Sequence, residues 1–244
     1  SMPKVNFTLN GKPASVPYEP GMQFLEVLRE ECGIVSAKNG CAPEGTCGCC
    51  AILVDGRPVL ACLRKPEQME GHDVVTLEGV PEEMRRMLGE AFTLEGGVQC
   101  GFCIPGIVVR ATSLLRQGCT DDREAVEQGL AGHLCRCTGY ARIVDAIQTA
   151  GDALKNGGIL PRKEPRRHSY FGEEFGLTRN PAFANGKHGN GNGKKNGYGI
   201  GDSPARYLGF EQALGERPFV DDMRVPGMLH GAMVLSEHPR AIVN

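Results

Sequence analysis

The ten residues from Cys41 to Cys50, CAPEGTCGCC, hold four cysteines. With Cys62 they give the spacing Cys41-x5-Cys47-x2-Cys50-x11-Cys62. A second set follows, Cys100-x2-Cys103 and then Cys135-x1-Cys137. A Cys-x2-Cys pair lets two thiolates reach one centre from a tight turn, and four thiolates suit an iron–sulfur cluster or a tetrahedral zinc ion. The first set is one residue longer than the plant-type run Cys-x4-Cys-x2-Cys with a distant fourth cysteine, which holds a [2Fe–2S] cluster. Gly40, Gly45 and Gly48 would let the loop wrap such a group and turn N–H groups toward its sulfurs. Structural zinc is the rival, but zinc knuckles usually pair two Cys-x2-Cys units and this loop has one. By spacing alone the second set reads equally as a cluster, a zinc site or a redox pair. The chain has 11 cysteines, so a closed disulfide set would leave one over.

The elements that must position these thiols follow from periodicity. Lys4 to Val16 alternates apolar and polar residues about Asn10-Gly11, a strong hairpin signal. GMQFLEVLREE reads as a helix with Met22, Leu25 and Leu28 on one face and Phe24 beside it. AILVDGRPVL reads as a second hairpin turning at Asp55-Gly56, and DVVTLEG as a short last strand. A small sheet crossed by one helix is a β-grasp, expected over residues 1–79. From Pro81 the period becomes helical, with Glu82 and Glu83 at the positive end of the first helix. Three more helices are expected. One carries Ile107, Val108, Ala111, Leu114 and Leu115 on one stripe, one starts from Thr120 as N-cap, and one presents Ile143, Ala146, Ile147, Ala150 and Leu154. Four helices make a small bundle over residues 80–156. The fold class is therefore α+β, a β-grasp followed by a four-helix bundle.

Residues 157–203 read as a linker, first basic and proline-broken, then rich in glycine and asparagine, with seven glycines in the seventeen residues from Asn185 to Gly201. No phosphate loop fits there, because GKK lacks the required Ser or Thr and no strand precedes it. Residues 204–244 look folded again. The formal net charge of −2 speaks against bulk attraction to nucleic acid or an anionic membrane. No apolar run approaches membrane-spanning length, and the first residues lack the apolar core of a secretion signal. A reducing, cytoplasmic setting is expected, where clustered cysteines more often bind metal than pair.

QCGFCIPG at Gln99 to Gly106 and LCRCTGY at Leu134 to Tyr140, downstream of the Cys41 to Cys62 run, resemble the iron–sulfur portion of the xanthine dehydrogenase and aldehyde oxidase family of molybdenum hydroxylases. The resemblance covers roughly Lys4 to Leu154. It implies a [2Fe–2S] cluster on Cys41, Cys47, Cys50 and Cys62 and a second on Cys100, Cys103, Cys135 and Cys137. It also implies that Gln99 and Cys137 touch a molybdopterin at a partner interface, and that electrons pass through both clusters to an acceptor, a flavin subunit or a ferredoxin. Cys32 and Cys119 are then helix-end or core thiols, and Cys49 could exchange with Cys47 or Cys50 as ligand. The CAPEGTCGCC form most resembles the branch described as selenium-dependent xanthine dehydrogenases.

The tail, FVDDMRVPGMLHGAMVLSEHPRA, resembles the opening strands of the molybdenum portion's first domain, with His230 and His238 as fold or surface residues. A glycine-rich linker stands where many relatives carry a flavin domain, so no flavin is expected in this chain. The catalytic portion is expected beyond Asn244, on a longer chain or a partner. The rival of another class is a zinc-stabilised docking module that moves no electrons.

Overall fold

A computed structural model describes residues 2–161, 206–229, 231 and 233–235. Strands β1 (Lys4–Leu9) and β2 (Lys12–Pro17) pair antiparallel in register from Lys4↔Pro17 to Leu9↔Lys12. Both turn residues have positive φ, Asn10 at 52° and Gly11 at 78°. This is the twist-matching turn that Asn-Gly favours. Strands β3 (Ala51–Val54) and β4 (Arg57–Leu60) form the second hairpin, with Asp55 at 49° and Gly56 at 77°. Strand β5 (Asp73–Val75) lies between the hairpins, parallel to β1 and antiparallel to β3. The sheet order is β2-β1-β5-β3-β4, the β-grasp arrangement expected.

Helix α1 (Phe24–Glu26) opens into a π turn over Val27–Glu31, closed by Cys32 N donating to Val27 O at 3.1 Å. The wider turn rotates the buried face. Phe24, Leu25, Val27 and Leu28 are buried, whereas Met22 is only half-buried. Strand β3 is buried along its whole length. Its alternate residues serve two cores: Ile52 and Val54 face the core around α1, and Ala51 and Leu53 face the helices that follow.

Those helices are α2 (Glu82–Glu95), α3 (Ile104–Gln117), α4 (Arg123–Gly129) and α5 (Ala141–Lys155). Two expectations fail in detail. Asp122, not Thr120, caps α4, accepting from Glu124 N at 2.9 Å. Thr120 sits in a 3-10 turn, buried against α5 where Gly151 leaves room for it. On α5, Ala153 completes the buried stripe and Leu154 is 38% exposed.

Beyond the helices, the short α6 (Gly209–Ala213) packs on α2 and α3, with Phe210 and Leu214 seated where Gly89 has no side chain. A 3-10 turn follows at Val220–Asp222. The opening strands expected here do not occur among the described residues. Residues 162–203 of the expected linker, residues 204–205, His230 and His238 lie outside the described residues. Among the described residues no helix is long and apolar enough to cross a membrane.

Candidate metal centres

The first thiol set comes from the loop between the π turn and β3, joined by Cys62 from the 3-10 turn after β4. The β3–β4 register, Ala51↔Leu60, carries on to Ala61, whose N donates to Cys50 O at 3.2 Å, and so brings the next residue, Cys62, beside Cys50. The Cys50 and Cys62 thiols are hydrogen-bonded neighbours, and so are Cys41 and Cys47. Cys47, Cys50 and Cys62 are buried, and Cys41 is half-buried. Burial pushes the Cys50 thiol up to about 12 and raises Cys62 as well. Burial acts upward on Cys41 too, but backbone hydrogen bonds from Thr46 and Cys47 outweigh it and bring Cys41 down to about 6. N–H groups aimed at a sulfur are what a ligand thiolate needs. Gly45 and Gly48, at φ 71° and 70°, supply the left-handed backbone that turns them.

The second set flanks α3. Cys103 stands at its N-cap, Cys100 in the turn before it, and Cys135 and Cys137 in the loop between α4 and α5. The Cys100 and Cys137 Sγ atoms lie 3.4 Å apart, and the Cys103 and Cys135 thiols are also hydrogen-bonded. Burial raises Cys103. Cys135 is also partly buried, yet hydrogen bonds from Thr138 and the Cys137 backbone lower it. Its Sγ lies 3.1 Å from Thr138 Oγ1. Tyr140 braces the loop: its hydroxyl accepts from Cys135 N at 2.8 Å and donates to His133 O at 3.0 Å. Gln99, Cys100 and Cys137 are exposed together, while Cys103 is buried.

Each set thus brings together the four cysteines its spacing selects, in two neighbouring pairs. A [2Fe–2S] cluster takes ligands on two irons, so paired thiols fit it. Among the described residues no three His, Cys, Asp or Glu side chains are arranged for a single metal ion. Cys32 ends the π turn and Cys119 opens a 3-10 turn, both at helix ends as expected.

Two family models divide the chain in the same way. A 2Fe-2S iron-sulfur cluster binding domain matches residues 7–76, and a [2Fe-2S] binding domain matches residues 76–148. The nicotinate dehydrogenase small FeS subunit of Eubacterium barkeri is 38% identical over 62% of this chain and 97% of its own length. The xanthine dehydrogenase iron-sulfur-binding subunit of Escherichia coli O157:H7 is 39% identical over 59% of this chain and 91% of its own. This chain belongs to the iron–sulfur subunits of the molybdenum hydroxylases.

Solved structures agree with that membership. Quinoline 2-oxidoreductase from Pseudomonas putida 86 superposes with TM-score 0.60 at 37% identity, over 65% of this chain and 99% of that one. An aldehyde oxidoreductase from Desulfovibrio desulfuricans gives 0.68 at 27% identity, over 91% of this chain and 22% of that one. As a molybdenum hydroxylase iron–sulfur chain, the protein carries two [2Fe-2S]-binding domains and is the electron-transfer part of an oxidoreductase.

In this iron–sulfur chain the two cysteine loops touch through backbone. Leu134 N donates to Cys47 O at 2.9 Å. A Cβ on Gly48 would lie 2.5 Å from Gly132 O, and one on Gly106, in the first turn of α3, 2.5 Å from Gly48 O. Cys49 is buried in this seam. Its Sγ lies 3.7 Å from the Cys47 carbonyl oxygen. His133 is the residue that sequence reasoning missed here. It is 7% exposed, neither ring nitrogen has a hydrogen-bond partner, and burial pushes it down to about 4. It packs on Gly48 and lines a cavity of about 310 Å³ with Leu130, Tyr140 and Val144.

Proposed function

We propose that Cys41, Cys47, Cys50 and Cys62 ligate one [2Fe–2S] cluster and that Cys100, Cys103, Cys135 and Cys137 ligate the other. When bound, the clusters supply one-electron transfer at potentials set by ligands, N–H bonds to sulfur and burial. The chain's residues do the placing. Thr46 and Cys47 offer N–H groups to the Cys41 sulfur, and Thr138 offers its hydroxyl to Cys135. The exposed edge at Gln99, Cys100 and Cys137 is the entry face, where a molybdopterin on the catalytic portion would meet Gln99 and Cys137. Electrons would enter there, cross the seam to the buried first site, and leave to a flavin subunit or a ferredoxin.

The observation that carries this path is the hydrogen bond from Leu134, next to Cys135, to the carbonyl of Cys47. It puts backbone of the two ligand loops in direct contact. Electron paramagnetic resonance on the dithionite-reduced chain tests it. Two rhombic signals that split each other when both clusters are reduced are expected; two signals without mutual splitting would refute the short path.

The same reading sets the domains at 1–79 and 80–156, the second as a four-helix bundle, with a linker at 157–203 and the start of a molybdenum portion at 204–244. It places the protein in the cytoplasm and, on the CAPEGTCGCC loop, in the selenium-dependent xanthine dehydrogenase branch. The substrate is a matter for the catalytic portion. Relatives named for nicotinate, xanthine and aldehydes share this electron-transfer part.

A further inference from the structure

Lys38 and Arg29 are long cationic side chains in a place such residues rarely occupy. Their side chains are 1% and 7% exposed. Such residues are almost never fully buried unless paired. Arg29 donates through Nη1 to Ala37 O at 2.9 Å and Val35 O at 3.3 Å, which fixes the backbone leading into the first cysteine loop. Lys38 N donates to Cys49 O at 3.0 Å, so the lysine's own backbone is tied to that loop.

Their charge is answered from nearly two hundred residues away. Lys38 Nζ is ion-paired with Asp222, whose side chain is also 1% exposed. Arg29 Nη2 lies 3.0 Å from Asp222 Oδ1 and 3.0 Å from Asp221 Oδ2. Phe219 N donates to Asp222 Oδ2 at 2.9 Å, so the segment folds into a hook around its own carboxylate. The Phe219 ring sits 5.1 Å beneath Lys38 Nζ and meets Phe102 edge-on, with centroids 5.2 Å apart. Phe102 lies between Cys100 and Cys103. It also lies against Gly40, where a Cβ would be 3.2 Å from its ring. Upstream in the same segment, Gln212 packs on Gly101 and Gly215 on Pro105 and Ser36. Downstream, Arg224 pairs with Glu30.

We propose that Arg29, Lys38 and Phe102 form a docking socket for the acidic hook Phe219–Asp222 of this same chain, and that the hook clamps both cysteine loops as the chain enters its next portion. The pairing has the character of a specific latch. Removing one partner of a buried ion pair leaves the other charge uncompensated, whereas replacing both by apolar residues of similar volume is often neutral. The alignment with the Eubacterium barkeri subunit spans 97% of that subunit yet only 62% of this chain. The aldehyde oxidoreductase structure, a longer chain, instead covers 91% of this one. The role given to the two loops rests on the cluster reading above; the clamp itself does not.

The test uses the full chain with Asp222→Ala, and with Lys38→Met combined with Asp222→Leu. Hydrogen exchange over 206–224 and trypsin cleavage at Arg217 and Arg224 are followed in each. Asp222→Ala should speed both by roughly tenfold or more, and the double variant, in which Arg29 keeps only Asp221, should restore part of the protection. Unchanged exchange in Asp222→Ala would overturn the proposal. So would a double variant as open as the single one, and that arm still decides if Asp222→Ala alone fails to fold. Iron and labile sulfide measured on the same samples report on the cluster reading separately. A parent protein without iron would sink that reading while leaving the release of the hook as a valid readout of the clamp.

Discussion

The two thiol sets differ in what surrounds them. The first is enclosed: Cys47, Cys50 and Cys62 are 7%, 1% and 2% exposed, in a loop held between a sheet and a π turn. The second is open on one side, with Cys100 and Cys137 exposed and only Cys103 buried beneath α3. An electron carrier needs both kinds of site. The open edge lets a donor approach, and the enclosed site keeps its charge changes away from water. Burial raises Cys50, Cys62, Cys100 and Cys103 in common; at Cys41 and Cys135 hydrogen bonds, from Thr46 and Cys47 and from Thr138 and Cys137, together outweigh burial and lower the thiol.

The comparison breaks most sharply at a ligand. Cys103→Ser should abolish the second reduced signal and leave the first, whereas Cys50→Ser should do the reverse. Loss of both signals from either change would show that the two parts do not fold independently. The next largest effect is expected at the seam. Gly48→Ala adds a Cβ 2.5 Å from the Gly132 carbonyl at a position of positive φ, and should cost about 2–4 kcal/mol in thermal or denaturant unfolding. An unchanged midpoint would mean that the loops can separate freely.

Acid should act on the hook before the core. Burial would raise the Asp222 carboxyl, but Lys38, the Phe219 N–H and Arg29 outweigh it and hold it below the usual range. A depressed carboxylate contributes stability that is fully present above its unfolded value of about 3.9 and is lost as pH falls through the folded value. The protection factor over 206–224, exchange corrected for its intrinsic pH dependence, should therefore be constant near neutrality and fall below about pH 4. An onset near pH 6 would contradict this linkage. The smallest effect is expected at Cys49. Cys49→Ala should keep four irons and both signals and cost about 1 kcal/mol. Disappearance of the first signal would make Cys49 a ligand.

Much of this was legible in the sequence because it is local. Asn10-Gly11 and Asp55-Gly56 specify their hairpins by turn chemistry, and the glycines at 96 and 118 end α2 and α3 with φ of 71° and 70°. The thiol spacings selected two sets of four that the fold brings together. The π turn was not legible, because a helical period does not reveal one extra residue in a turn. Thr120 looked like a cap and became a buried contact because Gly151, thirty residues on, left space for it. Residues 219–241 resembled opening strands, yet their described part begins with the hook at Phe219–Asp222, since its partners are Arg29 and Lys38 beside the first loop. The burial of Lys38 and Arg29 has no local sequence signal; contacts with Asp221 and Asp222, nearly two hundred residues on, explain it.

The most direct measurement is iron and acid-labile sulfide per chain on anaerobically purified protein, with electron paramagnetic resonance after dithionite reduction. Two [2Fe–2S] centres, one enclosed and one open on one side, predict about four irons, four sulfides and two distinct reduced signals. Zinc without iron would contradict the electron path and leave a docking module. Two irons with one signal would show that only one of the two thiol sets assembles a cluster.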